Sequence, residues 1–200
     1  MHMIELLFAT TNTHKAEEVR AILKDSGIHL RTLAEFPDIP EPPETGTTFE
    51  ANALQKARFV WDRTQMPCIA DDSGIEVDAL NGEPGVYSKR FSPTGTTAAN
   101  NALLLARLGS SLERSARFRC VLALVDGELE QTVEGRCEGT IGLTPSGDHG
   151  FGYDPLFYPV DHPGRSMAEL SMDAKNAISH RGRAFRQLPE LLRSLHSPRR

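Results

Sequence analysis

Two adjacent carboxylates, Asp71 and Asp72, come directly after the apolar run Cys68-Ile69-Ala70. Buried carboxylates repel each other and favour the protonated form unless a cation lies close by. Lysine ammonium groups or a divalent metal ion would keep both ionised, and magnesium prefers oxygen ligands of this kind. If the strand continues through the pair, the two side chains point to opposite sides, so one can serve a site while the other braces the backbone. A turn built from Asx residues is the structural alternative.

Lys56 is a second candidate because it falls inside the apolar stripe of a predicted helix. Phe49, Ala53 and Val60 lie on one arc of the helix predicted over residues 47–63, and Lys56 shares that arc. A lysine at such a position either extends to the edge of the stripe or directs its ammonium group into a cleft. The second possibility would place a positive charge in a binding site.

The segment Thr10-Thr11-Asn12-Thr13-His14-Lys15 joins a predicted buried strand to a predicted helix. Backbone N–H groups at the start of a helix are unpaired and lie at the positive end of the helix dipole, which favours a bound anion. Lys15 adds a full positive charge there. The segment lacks the glycines of a P-loop or of a dinucleotide-binding loop. An ordinary capped connection between a strand and a helix is the alternative.

Two further segments carry groups suited to a nucleotide. In residues 150–155 the glycines permit close approach of a ligand, Phe151 or Tyr153 could stack on a base, and Asp154 offers an acceptor. Core packing and a turn would explain the same residues. Basic residues at a predicted helix start oppose the helix dipole, so they are favoured there only beside an anion or a hydrogen-bond acceptor. Ordinary surface charges are the alternative. These bases are Lys175, His180 and Arg181.

Alternating strands and helices must position these groups, and the middle of the chain is rich in strands. This order predicts an α/β fold with a mixed sheet. Thr47 and Glu50 have the spacing of a capping box. The predicted elements are a strand at 4–10, a helix at 15–27, a strand at 28–33, a proline-rich loop at 36–46, the helix at 47–63, a strand that breaks after the aspartate pair and is followed by a strand or a loop within 68–80, a loop at 81–92, a helix at 96–109, a hairpin around Asp126-Gly127 followed by a third run within 116–142, and helices at 172–178 and 180–188, with Ser171 and Ser179 as candidate caps and with Pro189 expected to interrupt or restart the last helix.

Composition indicates an ordinary globular chain of one domain. It has 200 residues, of which 39% are hydrophobic and 24% are charged, and its net charge of −5 argues against a general binder of nucleic acids. Three cysteines without a CxxC pair favour a reducing cytosol over a secreted disulfide scaffold. The first residues contain no basic leader, and no run reaches the roughly 18 apolar residues of a membrane helix. We therefore expect neither a signal peptide nor a membrane span.

Charge is distributed unevenly along the chain. Residues 32–55 contain five acids and no lysine or arginine, whereas residues 175–200 contain seven lysines and arginines and one acid. Two solvated faces would explain this distribution. A site in which acids hold a cation and bases hold an anion is the alternative explanation.

The order of these motifs resembles the inosine triphosphate pyrophosphatase family, also known as the Ham1-like or RdgB-like house-cleaning nucleotidases. The resemblance runs from about residue 4 to residue 195, and ADDSG at 70–74, FGYDP at 151–155 and SHRG at 179–182 are its most specific parts. It implies one nucleoside-triphosphate pyrophosphatase domain over residues 1–200. The implied fold is an elongated mixed β-sheet flanked by helices, in two lobes with an active cleft between them.

The resemblance also implies an activity and assigns residues to it. The activity is hydrolysis of ITP, dITP and XTP to the monophosphate and pyrophosphate with Mg²⁺, by a cytoplasmic homodimer that needs neither a nucleic-acid polymer nor a membrane. Glu44 and Asp72 are the implied metal ligands, and Asp72 and Lys56 are the implied catalytic residues, with Asp72 as general base. The implied substrate-binding residues are Thr10, Thr11, Asn12, Thr13, His14, Lys15, Ser73, Phe151, Gly152, Tyr153, Asp154, Lys175, His180 and Arg181.

Two departures from the family pattern occur in the first loop. Many family members have glycine at the place of Thr11, where threonine fits if its φ is negative, and a small residue at the place of His14. Two other functions remain open. One is a nucleotide pyrophosphatase of different base preference, such as one acting on modified pyrimidines. The other is a non-catalytic nucleotide-binding protein, against which the combination of Glu44, Lys56 and Asp72 argues.

Overall fold

The structure, a computed structural model, describes residues 4–127 and 129–195. Its strands are β1 (Ile4–Phe8), β2 (Ile28–Thr32), β3 (Cys68–Val77), β4 (Ser115–Asp126), β5 (Leu129–Ile141) and β6 (Phe157–Pro159). Its α-helices are α1 (Thr13–Ile22), α2 (Phe49–Thr64), α3 (Thr97–Leu108), α4 (Met172–Ile178), α5 (His180–Phe185) and α6 (Leu188–Leu195). Short 3-10 helices cover Leu33–Glu35, Asp78–Leu80, Gly85–Arg90, Asp154–Leu156 and Met167–Glu169.

The six strands form one mixed sheet in the order β2-β1-β3-β4-β5-β6. β1 pairs in parallel with β2, with Ile4 opposite Ile28, and in parallel with β3, with Leu7 opposite Cys68. β5 and β6 pair antiparallel, with Ile141 opposite Phe157. The parallel side follows from the helical crossovers early in the chain, and the mixed α/β fold predicted from the sequence is confirmed.

The chain divides into two compact units, each with its own core. Of the residues described, the first unit contains 4–72, 120–127, 129–135 and 182–195, and the second contains 73–119 and 136–181. Phe8 and Phe185 meet edge to face in the first core, with ring centroids 5.6 Å apart. Phe118 and Phe157 meet in the second core at 4.6 Å. Each pair lies within a continuous cluster of buried aliphatic side chains.

The aspartate pair lies inside a continuous strand, which corrects the predicted break after it. β3 runs without interruption from Cys68 to Val77, and a 3-10 turn begins only at Asp78. Asp71 and Asp72 are both buried in it. The turn of Asx residues is therefore excluded, and the alternation of side chains along a strand applies to this pair.

The cap of α2 is Thr48 and not Thr47. Thr48 has an extended backbone, and its hydroxyl accepts the backbone N–H of Ala51, as an N-cap requires. The predicted capping box of Thr47 with Glu50 is wrong, because the Glu50 carboxylate instead accepts the hydroxyl of Thr132 at 2.9 Å. The helix nevertheless begins within two residues of the predicted position.

Three smaller differences concern element ends. The predicted third run within 116–142 is the second half of the long strand β5. The predicted loop at 81–92 contains a 3-10 helix. Helix α5 ends at Phe185, before Pro189. Pro189 lies in the first turn of α6, where proline is tolerated. Ser171 caps α4 as predicted, since its hydroxyl accepts the N–H of Ala174. Within the part of the chain that the structure describes, no helix combines the length and the apolar character that crossing a membrane requires.

Candidate active site

The connection between β1 and α1 is a tight, internally bonded turn. The N–H of Thr10 donates to the carbonyl of Phe8 at 2.7 Å, and the N–H of Asn12 donates to the Thr10 hydroxyl at 3.1 Å. Asn12 is the N-cap of α1, because its side-chain oxygen accepts the N–H of Lys15 at 3.2 Å. The N-terminus of α1, where the helix dipole favours an anion, therefore follows this turn directly, and Lys15 lies in the first turn of the helix.

Lys15 is joined to the first aspartate of the pair. Its Nζ lies 2.9 Å from Oδ1 of Asp71, whose side chain is almost wholly buried. The other oxygen of Asp71 accepts a weak hydrogen bond from the thiol of Cys120 at 3.7 Å. Both oxygens of Asp71 therefore have contacts with side chains of the protein.

Lys56 holds the second aspartate and an acid from the proline-rich segment. Its Nζ lies 2.8 Å from Oε1 of Glu44 and 3.0 Å from Oδ1 of Asp72. Lys56 is only 5% exposed, so the prediction that it lies within the apolar stripe of its helix is confirmed. Its ammonium group ends between two carboxylates and does not reach the solvent edge of that stripe.

We call Lys15, Glu44, Lys56, Asp71 and Asp72 the acid–lysine cluster. Burial raises the pKa of the Asp72 carboxyl, and the Lys56 ammonium offsets this only in part. Burial alone would lower the pKa of Lys56, but the carboxylates of Asp72, Glu44 and Asp71 outweigh it and raise that pKa. Lys56 thus stays charged, and Asp72 is a stronger base than an exposed aspartate.

Two side chains missed by the sequence analysis hold the Glu44 segment against α2. Asn52, fully buried, accepts the N–H of Gly46 at 2.7 Å and donates to Oδ2 of Asp72 at 3.1 Å. Gln55 accepts the N–H of Thr45 at 3.0 Å and donates to its hydroxyl at 2.9 Å. The available signal was a polar residue, Asn52, within the same apolar arc as Lys56.

The cluster has the donor chemistry of a divalent cation site. Glu44 and Asp72 each bring a carboxylate oxygen within 3.0 Å of the same nitrogen atom, and the named groups comprise three carboxylates and two lysines. Across residues 4–127 and 129–195, no three histidine, cysteine or acidic side chains form a complete metal cage. Two protein oxygens suit magnesium, which usually completes its shell with waters and substrate phosphates.

The second unit contains a cluster built on the turn around Phe151. Asp154 accepts the backbone N–H of Phe151 at 2.9 Å and forms a buried ion pair with Lys175, whose Nζ lies 2.6 Å from Oδ2. The same ammonium group lies 4.8 Å from the centroid of the Phe151 ring, and the guanidinium of Arg181 lies 5.7 Å from it. We call Phe151, Asp154, Lys175 and Arg181 the aromatic cluster.

Arg181 and His180 are buried at the start of α5. Arg181 donates to the hydroxyl of Ser73 at 2.8 Å, which joins two residues that the sequence analysis assigned to the substrate. His180 stacks on Phe118, with ring centroids 4.7 Å apart and an angle of 11° between the planes. Both side chains are thus fixed by packing, and nothing in the sequence indicated Phe118 as the support of His180.

Tyr153 has a structural position. It is 4% exposed, its hydroxyl donates to the carbonyl of Ser88 at 2.9 Å, and burial raises its pKa far above the usual value. Of the two aromatic residues considered for stacking on a base, only Phe151 keeps a partly exposed ring. A second support missed by the sequence analysis is Asn101, which donates to the carbonyl of Gly152 at 3.1 Å.

The predicted site residues therefore fall into two groups. Thr10 to Lys15, Glu44, Lys56 and Asp72 belong to the first unit, and Ser73, Phe151 to Asp154, Lys175, His180 and Arg181 belong to the second. Thr11, Thr13 and His14 are exposed. Threonine fits at position 11 if its φ is negative. Within the described ranges, Gln65 and Asn81 are the only non-glycine residues with positive φ, so Thr11 meets this condition.

The chain is similar to known proteins over nearly its whole length. Residues 6–191 match the model of the Ham1 family. A protein of Nocardia farcinica named dITP/XTP pyrophosphatase is 50% identical over 98% of each chain, and one of Geobacter sulfurreducens with the same name is 49% identical over 95% of this chain and 97% of its own.

Solved structures give the same result. A HAM1 protein from Coxiella burnetii superposes with a TM-score of 0.87 at 40% identity, covering 96% of this chain and all of that one. A structure titled nucleoside-triphosphatase / dITP/XTP pyrophosphatase, from Mycobacterium abscessus, has a TM-score of 0.74 at 47% identity, covering 92% and 97%. The matched family model and the high coverage of these relatives show that the chain belongs to the Ham1 family.

Proposed function

We propose that the chain is a magnesium-dependent pyrophosphatase that hydrolyses the deaminated purine nucleotides ITP, dITP and XTP to the monophosphate and pyrophosphate. The observation that carries this proposal is the placing of Lys56 within 3.0 Å of both Glu44 and Asp72. An excess of carboxylates beside lysines suits a cation together with the phosphates it accompanies. The names of relatives at 49–50% identity support the substrate class.

Glu44 and Asp72 would hold the magnesium ion. Bound there, the ion would neutralise phosphate charge and make an attacking water more acidic. Lys56 already lies between the two carboxylates, so it would be within reach of the same phosphate oxygens. Lys15 and the N–H groups at the start of α1 provide the second set of phosphate contacts.

Asp72 would accept the proton of the attacking water. A carboxylate within hydrogen-bond distance of the attacking water can act as its general base. The water oxygen bonds to the α-phosphorus while the bond from that phosphorus to the bridging oxygen breaks, and pyrophosphate leaves with the electron pair. Lys15 and Lys56 would stabilise the negative charge on the phosphate oxygens as this happens.

The aromatic cluster would recognise the base. The partly exposed ring of Phe151 offers a stacking surface, the buried donor Arg181 lies close to it, and His180 is a second buried donor beside Arg181 in the sequence. A purine with an oxygen at position 6 accepts from such donors, whereas the 6-amino group of adenine is itself a donor and would leave them unpaired. A polar mismatch of this kind can discriminate by about 10⁴–10⁵.

Pyrophosphate release measured over ITP, dITP, XTP, GTP, ATP and dUTP, with and without Mg²⁺, tests the proposal. We expect turnover of the first three, no detectable turnover without metal, and rejection of ATP. A preference for dUTP or another pyrimidine would instead indicate a pyrophosphatase of different base preference. Binding of nucleotide without release of pyrophosphate would indicate a non-catalytic nucleotide-binding protein.

The proposal includes a homodimer in the cytoplasm. The reducing compartment is supported by Cys68, Cys120 and Cys137, which are buried and form no disulfide within the described ranges. The homodimer rests on the resemblance to the family. Light scattering coupled to gel filtration measures it directly, since a monomer of 22.0 kDa and a dimer differ twofold in mass.

A further inference from the structure

Three side chains of helix α2 hold the segment that carries Glu44. Asn52, Gln55 and Lys56 occupy positions i, i+3 and i+4 and therefore share one face of the helix. They contact the consecutive residues 46, 45 and 44 respectively, at distances of 2.7 to 3.0 Å. The segment has no regular structure of its own, so α2 determines where Glu44 lies.

Asn52 is the member of this set that also contacts Asp72. Its side-chain oxygen accepts the N–H of Gly46, and its side-chain nitrogen donates to Oδ2 of Asp72. Only an amide combines an acceptor and a donor in one plane at this size, and aspartate or leucine at the position would lose one or both contacts. Glycine at position 46 lets the Asn52 side chain approach the backbone this closely, because a Cβ on residue 46 would lie 2.8 Å from Oδ1 of Asn52.

Asn52 and Lys56 divide the two oxygens of Asp72 between them. Lys56 contacts Oδ1 at 3.0 Å, and Asn52 contacts Oδ2 at 3.1 Å. An ammonium group on a flexible chain attracts a carboxylate without fixing its plane. A buried amide that is itself held by a backbone N–H does fix that plane, and so determines the direction in which Oδ1 points.

We propose that Asn52 is a positioning residue, which holds Glu44 and the carboxylate of Asp72 in the mutual orientation that binds Mg²⁺ and activates water. This inference rests on the proposed function. Partners of metal ligands commonly change metal affinity or activity by about 10–100-fold when they are replaced. Gln55 supports the same segment through Thr45 alone and does not contact Asp72.

The experiment compares wild type with Asn52→Leu, Gln55→Leu and Val60→Ala. Val60 is buried on the same helix, is apolar, and serves as the control for lost stability. Three quantities are measured: Mg²⁺ affinity of the nucleotide-free protein by calorimetry, kcat and KM for ITP at saturating Mg²⁺, and Tm. Replacing a side chain that has only a structural role changes Tm, but the Mg²⁺ affinity, kcat and KM of the molecules that remain folded stay unchanged.

We expect Asn52→Leu to weaken Mg²⁺ affinity and lower kcat by about 10–100-fold while KM stays close to that of wild type. Gln55→Leu should have a smaller effect of the same kind, and Val60→Ala should lower Tm alone. The proposal is overturned if Asn52→Leu lowers Tm like Val60→Ala but keeps wild-type Mg²⁺ affinity and kcat.

If Asn52→Leu does not fold, Asn52→Asp replaces it, since that variant keeps the acceptor for Gly46 and loses the donor to Asp72. A wild-type kcat in Asn52→Asp would equally overturn the proposal.

Failure of the proposed function gives a different result. A wild-type protein that binds Mg²⁺ but releases no pyrophosphate from any nucleotide would contradict the hydrolase. The Mg²⁺ affinities of wild type and Asn52→Leu would still decide the role of Asn52. A wild-type protein that binds no Mg²⁺ would overturn both.

Discussion

The two units of the chain contain similar buried groups, but the clusters that these groups form have net charges of opposite sign. In the first, the buried Lys56 contacts two carboxylates, and the buried Asn52 accepts a backbone N–H of the segment after Glu44. In the second, the buried Lys175 contacts one carboxylate, and the buried Asn101 donates to the carbonyl of Gly152. Each unit therefore combines a buried ion pair with an asparagine that braces an irregular segment.

The difference lies in the charge that remains. The acid–lysine cluster has three carboxylates and two lysines, which leaves a formal charge of −1 among the named groups. The aromatic cluster has Lys175 and Arg181 with Asp154, which leaves +1 beside the ring of Phe151. Excess negative charge suits a metal ion, whereas positive charge beside an aromatic ring suits a base with oxygen acceptors. The two clusters contain two cationic side chains each, so the difference of two carboxylates reverses the sign of the remaining charge.

The largest expected effect separates the two aspartates of β3. Asp72→Asn removes the proposed base and a metal ligand, so we expect kcat for ITP to fall by at least about 10²–10⁴-fold, the range of general base catalysis, with little change in the circular dichroism spectrum. Asp71→Asn is the matched control, because Asp71 pairs with Lys15 and Cys120. Its loss should be much smaller. Near-normal turnover of Asp72→Asn would remove Asp72 as the base.

The second prediction tests the difference in charge between the clusters. Lys56→Met and Lys175→Met each remove an ammonium group from a buried carboxylate, and each should reduce the free energy of unfolding by about 3–5 kcal/mol. Mg²⁺ should stabilise Lys56→Met, by about 2.7 kcal/mol at one hundred times its Kd, since the ion can take the place of the ammonium group.

Lys175→Met should respond to Mg²⁺ only as wild type does, through its intact acid–lysine cluster, because Asp154 alone provides a single carboxylate. Thermal melts of both variants over a Mg²⁺ titration measure the contrast. Equal responses of the two variants would show that the clusters do not differ in the way proposed.

Base recognition is the third test, and its readout is a ratio. Arg181→Ala should reduce the preference for ITP over ATP, expressed as the ratio of the two kcat/KM values, by about 10–100-fold, since a hydrogen bond from a charged donor is worth about 1.5–3 kcal/mol. The ratio is independent of how much protein is folded, which matters for a side chain as buried as this one. Equal losses on both nucleotides would make Arg181 a phosphate contact instead.

The smallest expected effects compare one glycine from each unit. Gly46→Ala should cost about 1–3 kcal/mol of stability, because its Cβ would lie 2.8 Å from both Ala51 and Asn52. Gly152→Ala should cost about 1–2 kcal/mol for another reason, since its surroundings are open but its φ is +62°. Chemical denaturation measures both, and the first variant should also weaken Mg²⁺ binding. An unchanged Mg²⁺ affinity in Gly46→Ala would contradict the link between this segment and the metal site.

Local patterns were sufficient for much of the fold. Apolar runs placed β1 and β2, the arc through Phe49 and Lys56 placed α2, and Ser171 marked the start of α4. These features depend on neighbours within a few residues, which periodicity and capping describe well. The same local view misjudged the cap of α2 and placed a break in β3, because a strand buried against neighbours tolerates residues that alone suggest a turn.

The sequence by itself determined which chemical groups the protein has and in what order they occur. It identified the aspartate pair, a lysine within an apolar stripe and the glycine–aromatic turn. Only the tertiary structure decided their partners: Lys15 with Asp71, Lys56 with both Glu44 and Asp72, and Asn52 across the Glu44 segment and β3. These contacts join residues 6 to 56 positions apart, and hydrogen bonds over such separations depend on how helices and strands pack. Composition and spacing therefore reveal the chemistry available, whereas packing decides which carboxylate is braced and which one is left to act.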